Sequence, residues 1–404
     1  MKKTYSEKQR DLMRLWQKDE LKRINILEGS VRSGKTWISL VLWAFWVATM
    51  PANGAYLMVA KTLTSIRRNC LDLLQSLVGK SSFSYSLSKK EGRLFGRLVY
   101  LEGVNDARAE SKIRGMTLTG AYCDEVTLFT EEFFTMLLSR LSDDGAKLFG
   151  TTNPDNPHHW LMQKYLTRQD ELSLMSMKFT IDDNTFLKQE YVDALKKEYT
   201  GVYYDRFILG KWAVAEGVIY DMFDEQTHVI ELPEMQNFSQ YYVSVDYGTQ
   251  NPSVFLLWGK YNGKWYLAEE YYYDGRARQK QKTDGEYAED LIKFLGGRPY
   301  VRVIIDPSAA SFIAELKKRG VRVKKGNNAV LDGIRFVGSL LSRRELLISR
   351  KAEKTISEFY SYTWDQAASL RGEDKPVKEH DHCMDAVRYF CYTVLRPGGV
   401  AILK

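Results

Sequence analysis

Ile24-Asn25-Ile26-Leu27-Glu28-Gly29-Ser30-Val31-Arg32-Ser33-Gly34-Lys35-Thr36 is the stretch on which the reading of this chain turns. A short apolar run that begins at Arg23 reaches Gly29, and residues 29–36 then match GxxxxGK[ST]. Gly29 and Gly34 let such a loop wrap a phosphate with its N–H groups, Arg32 and Ser33 included, pointing inward. Lys35 sets a positive charge against the β- and γ-phosphates, and Thr36 offers a hydroxyl to Mg²⁺. The apolar segment 37–50 that follows, ended by Pro51, reads as a buried helix whose N-terminus faces the anion. Strand before and helix after are the context that gives the pattern meaning, so ATP with Mg²⁺ is the expected ligand.

Working outward, 55–60, 119–124 and 147–150 read as further buried strands, with helical stretches between them. That alternation predicts an α/β fold: a mainly parallel sheet with helices on both faces and its ligands at the carboxyl ends of the strands. Two motifs fall at such ends. Asp124-Glu125 supplies a carboxylate suited to Mg²⁺ and a neighbour suited to polarising water, although acidic residues also favour a helix N-terminus. Gly150-Thr151-Thr152-Asn153-Pro154 offers Thr152 and Asn153 as groups that can sense a γ-phosphate, or simply forms an Asn-Pro turn.

The pattern changes after residue 182. Residues 183–212 read as a small helical subdomain, 213–235 as a connection, and 236–404 as a second α/β region; residues 1–182 form the first. Strands are expected at 242–246, 253–258 and 301–306, with Asn262-Gly263 marking a tight hairpin. Asp246 and Asp306 end two of these strands. Asp385 lies in the helical stretch His382-Cys383-Met384-Asp385-Ala386-Val387-Arg388-Tyr389. Three carboxylates from two strand ends and a helix could meet around two Mg²⁺ or Mn²⁺ ions about 4 Å apart and cut a phosphodiester. His382 shares a helix face with Asp385 and could ligate metal, relay a proton or hold a carboxylate. A bend at Asp246 and an Asp-Pro-Ser cap at Asp306 are the plain structural alternatives. Arg371, Lys375 and Lys378, just before this helix, could hold phosphates.

Composition sets the outer bounds. The 404 residues suit two or three domains, and 44% hydrophobic with 27% charged residues is ordinary for a globular chain. A formal charge of +7 is compatible with a polyanionic partner. Cys70, Cys123, Cys383 and Cys391 show no CxxC spacing, which fits a reduced setting and not zinc. Neither a secretory signal nor an apolar run of membrane-spanning length is visible, so no membrane partner is expected.

Taken together, the phosphate loop, the Asp-Glu strand end, the Thr-Thr-Asn loop, Asp-Tyr-Gly, Asp-Pro-Ser and His-x-x-Asp-Ala-x-Arg-Tyr resemble the large terminase subunits of tailed bacteriophages along most of the chain. The short chain is similar to the subgroup of phage SPP1 and defective prophages. The resemblance implies a P-loop ATPase followed by an RNase H-like nuclease. It implies ATP-driven translocation of double-stranded DNA into a procapsid and metal-dependent cleavage of concatemers. It also implies a pentameric homo-oligomer, a portal protein and a small terminase subunit as partners. The setting would be the cytoplasm of an infected bacterium, transiently at the portal and outside the mature virion. Gln9 resembles the family's adenine-contacting glutamine. Arg32 resembles a loop arginine responsive to nucleotide, and Arg114 one that reaches a neighbouring subunit's ATP, though Arg114 could equally pair with Glu110 of its own chain. A helicase or repair nuclease, and a portal-docking protein with an inert nuclease fold, are the alternatives.

Overall fold

Apolar side chains on alternate sides of each strand dictate how the first sheet is built. The computed structural model describes residues 5–51, 53–104, 109–232, 238–248 and 251–396. Its first strands are β1 (Ile24–Gly29), β2 (Ala55–Ala60), β3 (Phe83–Ser86), β4 (Glu91–Leu94), β5 (Arg97–Gly103), β6 (Gly120–Cys123), β7 (Lys147–Thr152) and β8 (Leu174–Phe179). They lie in the order β3-β4-β5-β2-β6-β7-β1-β8. The strands from β5 to β8 in this order are parallel, and β3 and β4 add an antiparallel edge. Tyr56, Met58 and Ala60 of β2 join one core with the helix Lys35–Thr49, while Leu57 and Val59 join another with the helices Ala109–Ile113 and Glu131–Arg140. Both faces are therefore covered, which is why these strands read as nearly continuous apolar runs. Trp43 and Trp46 of the first helix pack on Tyr56 and Phe149, and each such burial contributes about 1.5–3 kcal/mol.

The second sheet contains β9 (Val229–Ile230), β10 (Gln240–Asp246), β11 (Ser253–Tyr261), β12 (Lys264–Tyr273), β13 (Tyr300–Ile305), β14 (Val323–Lys325) and β15 (Leu346–Ser349). Its order is β14-β13-β10-β11-β12-β15-β9. An antiparallel meander β10-β11-β12 is followed by β13 and β14 running parallel to β10, the strand arrangement expected of an RNase H-like domain. The β11–β12 hairpin turns at Asn262 and Gly263, with φ 47° and 77°, the positive-φ pair that favours Asn-Gly. The helix His382–Phe390 packs on β10, β11 and β13, with Phe390 stacked 4.4 Å from Trp258.

Two segments between the sheets contribute to the second core. The helices of the 183–212 stretch, Gln189–Glu198 and Gly201–Phe207, place Val192, Leu195, Tyr199 and Tyr203 in the core under the second sheet. The stretch expected as a connection is likewise built into that core. Ala215, Ile219, Tyr220 and Phe223 are buried there, Ile219 N donates to Tyr362 O at 2.8 Å, and β9 extends the sheet beside β15. Its apolar residues are spaced irregularly, so no periodicity announced their burial. The boundary expected between 235 and 236 lies outside the described residues. No described helix is long and apolar enough to cross a membrane.

Candidate active sites

The carboxyl ends of β1, β6 and β7 bring the first set of residues together. Gly34 caps the helix Lys35–Thr49 with φ 85°, and a Cβ at Gly29 would fall 1.8 Å from Phe179 O, so both positions require glycine. Lys35 Nζ donates to Ser30 O at 2.9 Å, to Gly29 O at 3.3 Å and to Asn153 Oδ1 at 2.7 Å. Burial pushes its ammonium down to about 8, against the opposing charges of Glu125 and Asp124. Asp124 is almost fully buried. Asn69 Nδ2 donates to its Oδ2 at 2.9 Å and Thr151 Oγ1 to its Oδ1 at 3.0 Å. Burial raises the Asp124 carboxyl, offset in part by those two donors and by Lys35. Glu125 sits at φ 57°. Burial, and then the charge of Asp124, push its carboxyl up to about 7, a value suited to a base near neutrality. Thr152 Oγ1 donates to Thr127 Oγ1 at 2.9 Å. A cavity of about 840 Å³ joins Ser33, Gly34, Lys35, Thr36, Asp124, Glu125 and Asn153. Ser33 Oγ is buried inside the loop and has no hydrogen-bond partner among the described residues, a donor suited to a phosphate oxygen.

In the second sheet Val245 pairs with Ile305, which sets Asp246 and Asp306 side by side at one end. Each carboxylate has its own protein partner. His382 Nδ1 lies 2.9 Å from Asp246 Oδ2. Burial pushes Asp246 up to about 6, countered by His382 and reinforced by the charge of Asp385. Burial lowers the His382 imidazole, but its bond to Asp246 together with the negative charges of Asp246, Asp381 and Glu358 outweighs this, and its pKa lies above the ordinary value. Tyr389 Oη donates to Asp306 Oδ2 at 2.5 Å and Ser308 N to Oδ1 at 2.7 Å. Burial raises Asp306, and these donors more than reverse it. Arg388 Nη2 donates to Asp385 Oδ1 at 2.7 Å. Gly333 makes room for that arginine, since a Cβ there would fall 2.5 Å from Arg388 Cγ. Lys378 Nζ bridges Asp381 Oδ2 at 3.0 Å and Asp385 Oδ2 at 3.3 Å. Among the described residues no three His, Cys, Asp or Glu side chains are close enough to hold a metal ion together. The acidic donor set, with an ammonium already drawn to Asp385, nevertheless has the chemistry of a hard-cation site.

Comparison with known proteins adds the family. A family model described as terminase large subunit, T4likevirus-type, N-terminal, matches residues 26–227. The large terminase of a thermophilic bacteriophage superposes with a TM-score of 0.90 at 41% identity, covering 97% of this chain and 100% of that one. The chain belongs to the terminase large-subunit family. The same thermophilic-phage protein in complex with ADP gives a TM-score of 0.88 at 42% identity over 97% of this terminase and 100% of its own chain. The large terminase subunit of Escherichia phage T5 is 24% identical over 281 residues, 66% of this terminase and 62% of that relative's length.

Three positions marked by the resemblance are placed as follows in this terminase. Gln9 is buried in the helix Glu7–Gln17, where its Oε1 accepts from Ser6 N at 3.0 Å and its Nε2 faces Gly34 of the phosphate loop. Arg32 takes φ 56°; its carbonyl accepts from Asn184 Nδ2 at 2.6 Å, and its guanidinium lies 6.0 Å over the Tyr191 ring. Arg114 is exposed, donates to Glu110 Oε1 at 2.7 Å and does not line its own chain's cavity. Residues that the sequence reading passed over also matter. Asn69 bonds Asp124 from 55 positions away. Arg335, on the helix Val330–Ser342 beneath the second sheet, lines the nucleotide-sized cavity and lowers Glu125. Glu358 accepts from Cys383 N at 2.7 Å and Met384 N at 3.2 Å, holding the first turn of the helix that carries His382 and Asp385. None of these carries a local signal, because each acts only across a packed interface.

Proposed function

We propose that this terminase couples ATP hydrolysis to movement of double-stranded viral DNA into a procapsid and cuts concatemeric DNA with a metal-dependent nuclease. One observation carries the first half: Lys35, Asp124, Glu125 and Asn153 converge on a single cavity at the strand ends of one sheet. Residues 1–182 would act as the ATPase core, 183–212 as a helical cover for its cavity, 213–235 as the connection and 236–404 as the nuclease. Lys35 and the N–H groups of residues 29–36 bind the phosphates, with Arg32 and Ser33 beside them. Thr36 and Asp124 would hold Mg²⁺, and Glu125 takes a proton from the attacking water. Thr152 and Asn153 link the γ-phosphate position to β7. Structures of the thermophilic-phage relative with ADP and with ATP-gamma-S support nucleotide as the ligand.

In the second site Asp246, Asp306 and Asp385 would hold Mg²⁺ or Mn²⁺, which supplies Lewis acidity toward a phosphodiester. His382 fixes Asp246 and can move a proton, while Glu358 positions the helix. The partners this reading implies are a portal protein, a small terminase subunit and further copies of the chain in a pentamer. It places the protein in the host cytoplasm, at the portal during packaging and not in the finished virion. The deciding experiment measures ATP-dependent packaging into procapsids together with Mn²⁺-dependent plasmid cleavage by the same preparation. Both are expected. Packaging without cleavage would leave a portal-docking motor with an inert second site, and strand separation without packaging would point to a helicase.

A further inference from the structure

The end of the second sheet that bears Asp246 and Asp306 is flanked on both sides by exposed cations. Asp246 pairs with Val254 and Ser253 with Tyr273, so the turn that follows β12 emerges at the same end as Asp246. That turn carries Arg276, Arg278 and Lys280, all exposed. It is a built element: Asp274 Oδ1 accepts from Arg276 N at 2.9 Å and Ala277 N at 3.1 Å, Lys280 N donates to Gly275 O at 3.0 Å, and Tyr273 Oη donates to Lys280 O at 2.7 Å. On the opposite flank Ile305 pairs with Lys325, which brings the exposed Lys324 and Lys325 beside Asp306. None of these five side chains forms an ion pair among the described residues, whereas Lys375 is paired with Glu373 and Lys378 with Asp381 and Asp385. The two lysines of the loop that the sequence marked for phosphate contact are thus already neutralised, and five unneutralised cations lie to either side of it.

From β14 to β12 is four strand spacings, roughly 19 Å. That span is close to one major plus one minor groove of B-form DNA, about 12 and 6 Å. A carboxylate centre repels a polyanion, so backbone must be held by cations beside the centre rather than in it. We infer that a DNA duplex lies across this end of the sheet, its backbones held by Arg276, Arg278 and Lys280 on one flank and Lys324 and Lys325 on the other. This rests on reading the second site as a nuclease.

The test uses the full chain, a short labelled duplex in EDTA, and fluorescence anisotropy over a salt series. Lys324→Gln/Lys325→Gln and Arg276→Gln/Lys280→Gln should each weaken binding about tenfold and reduce the slope of log affinity against log salt by about 2. Lys317→Gln/Lys318→Gln, at the far end of the helix Ala310–Lys318, is the control and should change neither. An unaltered urea-unfolding curve shows that the variants are folded. Flank variants that bind like the control overturn the inference. Mn²⁺-dependent plasmid cleavage by the wild type separates the two ideas. Cleavage with unchanged flank binding removes the seat and keeps the nuclease; absence of cleavage with weakened flank binding does the reverse.

Discussion

Lys35 Nζ and Asn153 Oδ1 lie 2.7 Å apart, tying the phosphate loop to the end of β7. The same lysine also holds the carbonyls of Gly29 and Ser30, so its charge is aimed by three acceptors before any phosphate arrives. Position and charge sign are therefore built into the first sheet itself, and the roles at this site can be separated by mutation.

Lys35→Ala should weaken nucleotide binding about 10–100-fold, the scale of a hydrogen bond to a charged group. Glu125→Gln should bind nucleotide nearly as the wild type does and lose about 10²–10⁴ in turnover, the usual weight of a positioned base. Calorimetric titration and phosphate release measure the two effects. Wild-type turnover in Glu125→Gln would take that residue out of the base role.

Asp246→Ala, Asp306→Ala and Asp385→Ala should each abolish Mn²⁺-dependent plasmid cleavage while ATP turnover continues, since the two sites belong to different sheets. His382→Ala should be milder, because water can partly replace a group that holds one carboxylate. A plasmid-nicking time course decides this, and normal cutting by any one of the aspartate variants removes that residue from the site.

Arg206 is buried, donates to Asp155 at 2.9 Å, and forms a second ion pair with Asp374. It joins the loop after β7, the helix Gly201–Phe207 and the approach to the helix His382–Phe390. Arg206→Ala leaves two carboxylates without their counter-ion and should cost about 3–5 kcal/mol. Urea unfolding reads this directly, and a loss within experimental error would show that water takes the arginine's place.

Asp183 accepts from Lys8 Nζ at 2.9 Å, from Thr180 N at 2.6 Å and from Thr180 Oγ1 at 2.9 Å. Burial raises its carboxyl, but the Lys8 and Thr180 bonds outweigh burial and hold it below the ordinary value. A depressed carboxyl contributes stability that is fully present above the unfolded value, about 3.9, and is lost as pH falls through the folded value. Asp183→Asn should therefore cost about 1–2 kcal/mol at neutral pH, and the gap to wild type should close in acid. Melting curves at both pH values test the sign; a gap that widens in acid contradicts it.

Arg114 pairs with Glu110 in the single chain. A guanidinium supplied to a neighbour's ATP is worth about 10³–10⁵ in rate. Arg114→Ala subunits mixed with Glu125→Gln subunits under assembly conditions should recover hydrolysis at mixed interfaces. Mixed rings that stay inactive would assign Arg114 to its Glu110 pair alone.

What the sequence determined by itself is what neighbours in the chain can encode. The phosphate loop depends on glycines, a lysine and a hydroxyl within eight residues, between a strand and a helix that their own apolar patterns specify. The Asn262-Gly263 hairpin follows from two adjacent positive-φ residues. The carboxylates at the ends of β10 and β13 were legible because a strand end is a local event. The strands β3, β4 and β8 were not, since strands at or next to a sheet edge carry mixed polar and apolar residues without a clean period. Tertiary structure alone decided the partners of each charge: Asn69 on Asp124, Arg206 between Asp155 and Asp374, Glu358 on the helix N-terminus, and Lys378 on Asp381 and Asp385. It also folded residues 213–232 into the second core. Many of these contacts join residues dozens to more than a hundred positions apart. No local period reports them, because they form only when two faces pack and a buried polar group must find its partner.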